Sequence, residues 1–416
     1  MMMFLKRKLT EDWAVVAMGF ILILLAVWGL SIPIPDYKWA DVESLGGFLA
    51  GANLRQVVGQ FALSYALVIA GAALTGNPIR RQLMGFPLVF ALTVVALLLA
   101  GNRFLNDLGL EAVIFGLLIG LAVGNLFRLP EWFRQSLNAE MLVKVGLVLL
   151  GTSVIFSDIL RAGSLGLVQS LIVVLSVWYF AFWLCRRFGV DDELTMMISS
   201  AVSICGVSAA IATSGAIKGD SRKLSYVVSM VLITAIPMMV GMPYLAKLFG
   251  LSEEVTGAWL GGSIDTTGAV VASGSLVGER ALEISTIVKF SQNVLLGIAA
   301  LAISVYWTYR GAPTGSQVEK PGLGVIWERF PKFVIGFIGA SLLFSFALQP
   351  DTVAHVKGGI KSIQGLWFAL AFTSIGLETN FRELLGNNNA KPFFAFLTAQ
   401  LFNVLVTLAV ALWLFG

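Results

Sequence analysis

The residue with the most to explain in this chain is Asp265. It sits in Gly261-Gly262-Ser263-Ile264-Asp265-Thr266-Thr267-Gly268, the most polar run inside any apolar stretch. A carboxylate near a bilayer midplane is costly, and by default it marks a substrate path, an ion site or a proton relay. The bland alternative is a structural carboxylate bonded to Thr266, Thr267 or a lysine. Two shorter polar interruptions share the chain with it. One is Ser203-Ile204-Cys205-Gly206, followed by Ser208; the other is Thr373-Ser374-Ile375-Gly376, followed by Glu378. Hydrocarbon leaves no backbone group unpaired, so a break in a spanning helix persists only where it is buried in protein or lines a cavity. At such a break the half-helix amino ends offer N–H groups and partial positive charge, which suit an anion. The unwound carbonyls and carboxyl ends suit a cation.

Ser203, Cys205, Gly206, Ser208, Ser263, Thr266, Thr267, Gln292, Asn293, Thr373, Ser374 and Gly376 are therefore candidate substrate ligands. Asp265, Glu378, Lys144 and Lys289 are candidate ion-coupling residues. Each has a plainer reading. Lysines near helix ends snorkel to the headgroups, Glu378 can close a helix beside Arg382, and Gly, Ser and Cys in membrane helices commonly serve packing. The residue types point to no catalytic constellation and no metal site. The two cysteines are not clustered with other ligands, and the only histidine is His355.

The elements that must hold these residues are membrane helices. Hydrophobic residues make up 57% of the chain and charged residues 12%, about half the charge of a soluble domain. Apolar stretches of about 20 residues recur, enough to cross a bilayer, and the alternation of a β-barrel is absent. The pattern predicts an all-α polytopic protein with about thirteen spans. The seventh lies at 194–217, the ninth at 255–277, the tenth at 284–307 and the twelfth at 363–385. Lys and Arg favour the side of Lys6-Arg7-Lys8, which puts the amino terminus in the cytoplasm and the carboxyl terminus outside. The net charge of +4 comes from short loops, so the partner is the lipid bilayer and not a nucleic acid.

Short similarities link the two halves. Val143-Lys144-Val145-Gly146 resembles Val288-Lys289-Phe290-Ser291. The Ser203 break pairs with the Ser374 break, and the linkers Asp220–Lys223 and Asn388–Lys391 follow in the same order. Spans four to eight then match spans nine to thirteen, and an odd offset makes the second copy inverted. The expected division is residues 1–105 as amino-terminal helices, 106–250 as the first repeat and 251–416 as the second.

At these motifs the chain resembles the YeiH-type family of bacterial inner-membrane proteins, labelled as sulfate exporters. The resemblance covers roughly residues 83–415. It rests on Ser203-Ile204-Cys205-Gly206 with Ala209, Ala210 and Ala212-Thr213, on Gly262-Ser263 leading to Val270-Val271-Ala272-Ser273-Gly274, and on Leu377 to Leu384. It implies a secondary transporter with two inverted five-helix repeats and crossed broken helices, similar to bile-acid/sodium symporters and sodium/proton antiporters. It further implies export of a sulfate-like, sulfonate or carboxylate anion across the inner membrane, and a homodimer. Family members carry a His-Glu pair where this chain has Asp265-Thr266, which sets it on a divergent branch.

Two readings compete within this fold. One is an anion transporter coupled to protons or sodium, with no other cofactor. The other is a cation/proton antiporter centred on Asp265. A channel, a sensor or a membrane enzyme is the remoter alternative. An enzyme acting on lipid needs polar clusters near a membrane face, and here they are at mid-span. No Walker motif is present to drive an ATP-dependent pump.

Overall fold

The computed structural model of the chain describes residues 9–48, 51–107, 112–311, 324, 327, 330–379 and 390–416. Lys6-Arg7-Lys8, Arg382 and Asn388 lie outside them. Regular structure among the described residues is helical, apart from an isolated bridge between Trp39 and Asn102. The main helices are α1 (Glu11–Val27), α2 (Gly51–Thr75), α3 (Ile79–Gly101), α4 (Ala112–Leu126), α5 (Ala139–Leu150), α6 (Phe156–Arg187), α7 (Asp192–Ser203), α8 (Val207–Ile217), α9 (Ser221–Leu248), α10 (Glu253–Ser263), α11 (Thr267–Val277), α12 (Glu279–Gly311), α13 (Phe333–Leu342), α14 (Pro350–Glu378) and α15 (Ala390–Phe415). Polar caps mark several starts. The side chains of Asp191, Asp220 and Ser252 accept backbone N–H groups at the first turns of α7, α9 and α10, which satisfies donors that a helix leaves open.

The protein is an all-helical polytopic membrane protein. Among the described residues seven helices, α2, α3, α6, α9, α12, α14 and α15, contain segments long and apolar enough to cross a bilayer. Shorter apolar helices accompany them, and the expected spans at 194–217 and 255–277 each consist of two half-helices.

The helices form two compact units, Met1–Ser157 with Lys332–Asn380, and Asp158–Pro331 with Phe381–Gly416. Each unit is assembled from two separated stretches of chain.

In the first unit, the second half of α14 is almost wholly buried, from Leu366 to Ser374. It packs on α4 and α5 through small residues. A Cβ at Gly120 would strike the Thr373 carbonyl, one at Gly376 would lie 2.5 Å from the Leu117 carbonyl oxygen, and Gly146 makes room for the Phe368 ring. Thr373 Oγ1 donates to the Ala369 carbonyl at 2.9 Å and accepts from Thr93 Oγ1 at 3.1 Å. The expected break at Thr373-Ser374-Ile375-Gly376 is therefore corrected, since these residues lie inside one continuous helix, Pro350–Glu378. Small residues that would relax a helix also let two helices touch, and here they serve the second purpose. The inverted pairing of spans four to eight with nine to thirteen loses its landmark.

The second unit contains α6 to α12 and α15. Both interrupted spans belong to it, α7/α8 and α10/α11.

Candidate functional site

The first interruption turns on Gly206, which adopts φ 57° and ψ −108° between α7 and α8. That backbone is strained for any residue with a Cβ. Space excludes one as well, since a Cβ on Gly206 would lie 2.7 Å from Val231 Cγ1 and 2.9 Å from Asp265 Cβ. The second interruption is Ile264-Asp265-Thr266, within the polar run read from the sequence. Thr266 caps α11 by accepting the Ala269 N–H at 3.4 Å. Gly206 and Asp265 thus bring the two breaks into contact. Gly206→Ala is expected to destabilise the protein by about 2–4 kcal/mol, from positive φ and overpacking together. A Gly206→Ala protein that melts in detergent together with the wild type would contradict this geometry.

Each interruption leaves carbonyls at the carboxyl end of its first half-helix without intrahelical partners. Three side chains satisfy them in pairs, one carbonyl from each break. Lys289 Nζ on α12 donates to the carbonyls of Ile204 and Ile264, each at 2.8 Å. Gln292 Nε2, one turn on, donates to the carbonyls of Ser203 at 2.9 Å and Gly262 at 3.3 Å. Asn403 Nδ2 on α15 donates to the carbonyls of Val202 at 3.0 Å and Ser263 at 3.2 Å. Gln400 Nε2 adds a further bond to the Ser263 carbonyl at 2.9 Å. All of these residues are buried.

The amino ends of the second half-helices differ. Ser208 is exposed, and Thr266, Thr267 and Gly268 are half-buried. The first-turn N–H groups of α8 and α11 are donors that a helix cannot satisfy internally. The accessible side of the crossing is therefore rich in donors, while the acceptor side is sealed. Asp265 lies just before the cap of α11 and against the cap of α8. It is 2% exposed, and its Oδ2 has no hydrogen-bond partner among the described residues. The same holds for Ser263 Oγ, Asn293 Oδ1 and Gln400 Oε1.

Of the residues singled out by sequence, Ser203, Cys205, Gly206, Ser208, Ser263, Asp265, Thr266, Thr267, Lys289, Gln292 and Asn293 all belong to this second unit. The Ser203 hydroxyl is engaged within its own helix, donating to the Ser199 carbonyl at 2.7 Å, so Ser203 contributes a carbonyl to the crossing. Asn293 Nδ2 reaches Thr267 Oγ1 at 3.4 Å.

The remaining candidates belong to the first unit. Lys144 binds Glu11 at 3.1 Å, Asp12 at 2.8 Å and Glu140 at 2.8 Å. Asp12 Oδ2 also accepts the Lys332 N–H at 2.9 Å, which ties α1, α5 and α13 together. Glu378 Oε1 accepts the Ala139 N–H at 3.1 Å and so caps α5. Thr373 and Gly376 pack on other helices, and Ser374 lines a small cavity with Gln82, Ser136 and Asn138.

Sequence reasoning missed Gln400 and Asn403, and with them Thr407, whose Oγ1 donates to Asn403 Oδ1 at 3.0 Å. Their signal was present. Positions 400, 403 and 407 share one face of an otherwise apolar helix.

The family described as "Conserved hypothetical protein 698" matches residues 84–396. That range holds both interruptions and Lys289 and stops short of Gln400 and Asn403. The chain is 38% identical over 317 residues to the UPF0324 membrane protein RB9488 of Rhodopirellula baltica, covering 74% of this chain and 58% of that protein. It is 38% identical over 318 residues to a UPF0324 membrane protein of Nitratidesulfovibrio vulgaris, covering 73% of this chain and 54% of the relative. A second protein of that name from the same organism is 28% identical over 313 residues, 75% of this chain and 86% of its own length. The chain thus spans little more than half the length of the first two relatives. The resemblance to the YeiH-type family is borne out.

Proposed function

We propose that this chain, which belongs to the family described as conserved hypothetical protein 698, is a secondary transporter of a small anion and not an enzyme. Its substrate site is the crossing of α7/α8 with α10/α11. One observation carries the reading: the carboxyl ends at the crossing are sealed by Lys289, Gln292 and Asn403, while the amino ends of α8 and α11 stay accessible.

Charge balance supports a coupling mechanism. A helix end carries roughly half an elementary charge. The two carboxyl ends together balance the Lys289 ammonium, and the two amino ends together balance one anion. When Asp265 is ionised, its carboxylate supplies that anion. A substrate anion reaching the same amino ends meets the Asp265 carboxylate as a like charge, unless a proton has neutralised it. Proton uptake at Asp265 and anion binding are then linked, which is the requirement for coupled transport. Export across the bacterial inner membrane, with the amino terminus inside and the protein dimeric, completes the proposal and rests on the family resemblance and the Lys/Arg distribution.

A cation/proton antiporter is the second reading. Three buried acceptor oxygens favour it, namely Asp265 Oδ2, Asn293 Oδ1 and Gln400 Oε1, none of them partnered among the described residues. A ligand that binds only the folded state must raise its melting temperature. Sulfate, small sulfonates or small carboxylates are therefore expected to stabilise the purified protein and to be taken up by proteoliposomes in response to a proton gradient. The double variant Ser208→Ala/Thr267→Ala, which removes two hydroxyls from the accessible side, is expected to weaken the anion response by about tenfold. Stabilisation by sodium or lithium, with no response to any anion, would move the assignment to the antiporter.

A further inference from the structure

The Lys289 ammonium, which seals the carboxyl ends of the crossing, makes its hydrogen bonds to neutral oxygens. An ammonium has three N–H donors, and all three are used on uncharged oxygens. They go to the Ile204 carbonyl at 2.8 Å, the Ile264 carbonyl at 2.8 Å and Gln292 Oε1 at 2.7 Å. The side chain is 1% exposed, so its charge is held away from water. The nitrogen thus lies where two half-helix carboxyl ends converge, and unwound carbonyls at such ends are natural cation ligands. The oxygen distances exceed the about 2.3–2.6 Å that calcium takes, a range sodium shares, so the spacing as it stands matches an ion of potassium's size and sodium would have to draw the oxygens in. A cradle of neutral carbonyl oxygens at this spacing suits a monovalent ion.

Lys144 gives the contrast within the same chain. Its ammonium is matched by carboxylates from Glu11, Asp12 and Glu140. At hydrogen-bond distance Lys289 is held instead by neutral oxygens and helix ends, the ligands an inorganic cation would use, and the Asp265 carboxylate acts on it through space without a direct contact.

We propose that the Lys289 ammonium is a tethered cation filling a latent monovalent-cation site made by the Ile204 and Ile264 carbonyls and Gln292 Oε1, so that the crossing works without binding sodium or potassium. The inference rests on reading the crossing as the transport site, and it narrows the coupling ion of that site. Removing the side chain should vacate the cradle while leaving its oxygens fixed by α7, α10 and α12. A free ion can then take the position.

The test compares the purified full-length wild type, Lys289→Ala and Lys289→Met in sodium, potassium and choline chloride at equal chloride and fixed pH, reading melting temperature. The wild type is expected to melt alike in all three salts. Lys289→Ala is expected to melt lower in choline and to recover in a saturable way with sodium or potassium. Lys289→Met, whose uncharged stem still fills the cradle, is expected to show no cation response. Adding Gln292→Leu to Lys289→Ala removes the third oxygen and should raise the cation concentration for half-recovery at least tenfold.

A wild type stabilised by sodium or potassium overturns the proposal. So does a Lys289→Ala protein that ignores both ions or folds in none of the salts, and so does a Lys289→Met protein that responds as Lys289→Ala does. Anion uptake by wild-type proteoliposomes is measured separately. Uptake without cation rescue of Lys289→Ala refutes the tethered cation alone. Cation rescue without any anion uptake refutes the transport reading alone.

Discussion

Asp265→Asn is expected to abolish gradient-driven transport while the protein still folds and binds its anion. The predicted fall in transport rate is at least about 100-fold, which corresponds to about 2.7 kcal/mol in the barrier. Asn keeps the volume of Asp, so the contact with Gly206 and the turn before Thr266 are preserved, and the melting temperature should stay close to that of the wild type. What disappears is the exchangeable charge. Without a carboxylate, the amino ends of α8 and α11 are never balanced from within the protein. A substrate anion then binds without having to displace a charge or wait for a proton, and its affinity should rise. The same change removes the means by which a proton gradient drives the cycle. The signature is therefore a pair of opposite effects, tighter anion-induced stabilisation and lost uptake. A merely structural Asp265 predicts a lower melting temperature with coupling intact. Uptake by Asp265→Asn proteoliposomes at the wild-type rate, driven by the same proton gradient, would remove Asp265 from the mechanism.

Much of this site was legible in the sequence, and the errors have a physical cause. Gly206 and Asp265 declared themselves because few residue types survive in those surroundings. A carboxylate in the middle of an apolar run, and a Gly flanked by small polar residues, both need an explanation that packing alone rarely supplies. The run Gly261–Gly268 was read as polar but not as an interruption, although it is the second break. Thr373-Ser374-Ile375-Gly376 was read as an interruption although it is helix. The two segments are similar in composition. They differ in what lies opposite, since α4 offers Gly120 and Gly124 to the Gly376 face, whereas α12 and α15 offer amide and ammonium donors to the carbonyls at Ile264. That difference is tertiary and is not written in either segment. Lys144 and Lys289 illustrate the same limit. Their local sequences resemble each other, each a Val-Lys pair in an apolar run, and yet one meets carboxylates and the other carbonyls.

Asn403→Leu is expected to be among the most destabilising single changes in the second unit. The Asn403 amide donates to the carbonyls of Val202 at 3.0 Å and Ser263 at 3.2 Å, and the residue is fully buried. Leu matches its bulk but offers no donor. The Ser263 carbonyl retains Gln400 at 2.9 Å, so its loss is partial. The Val202 carbonyl belongs to the last turn of α7, where the helix cannot supply a partner. Leaving a buried acceptor unsatisfied costs about 1–3 kcal/mol, and Thr407 loses its acceptor as well. The sum is about 2–5 kcal/mol, read as a lowered unfolding midpoint in detergent. Thr407→Val provides the scale, because it removes only the bond to Asn403 Oδ1 and should cost about 1 kcal/mol. A structural amide elsewhere in the protein would affect stability alone. Asn403 joins the ends of α7 and α10, so the folded fraction of Asn403→Leu should also transport more slowly, as the accessible amino ends of α8 and α11 lose their fixed spacing. An Asn403→Leu protein that unfolds with the wild type would mean that the two breaks are not held by this bridge, and the sealed carboxyl side would then have to rest on Lys289 and Gln292 alone.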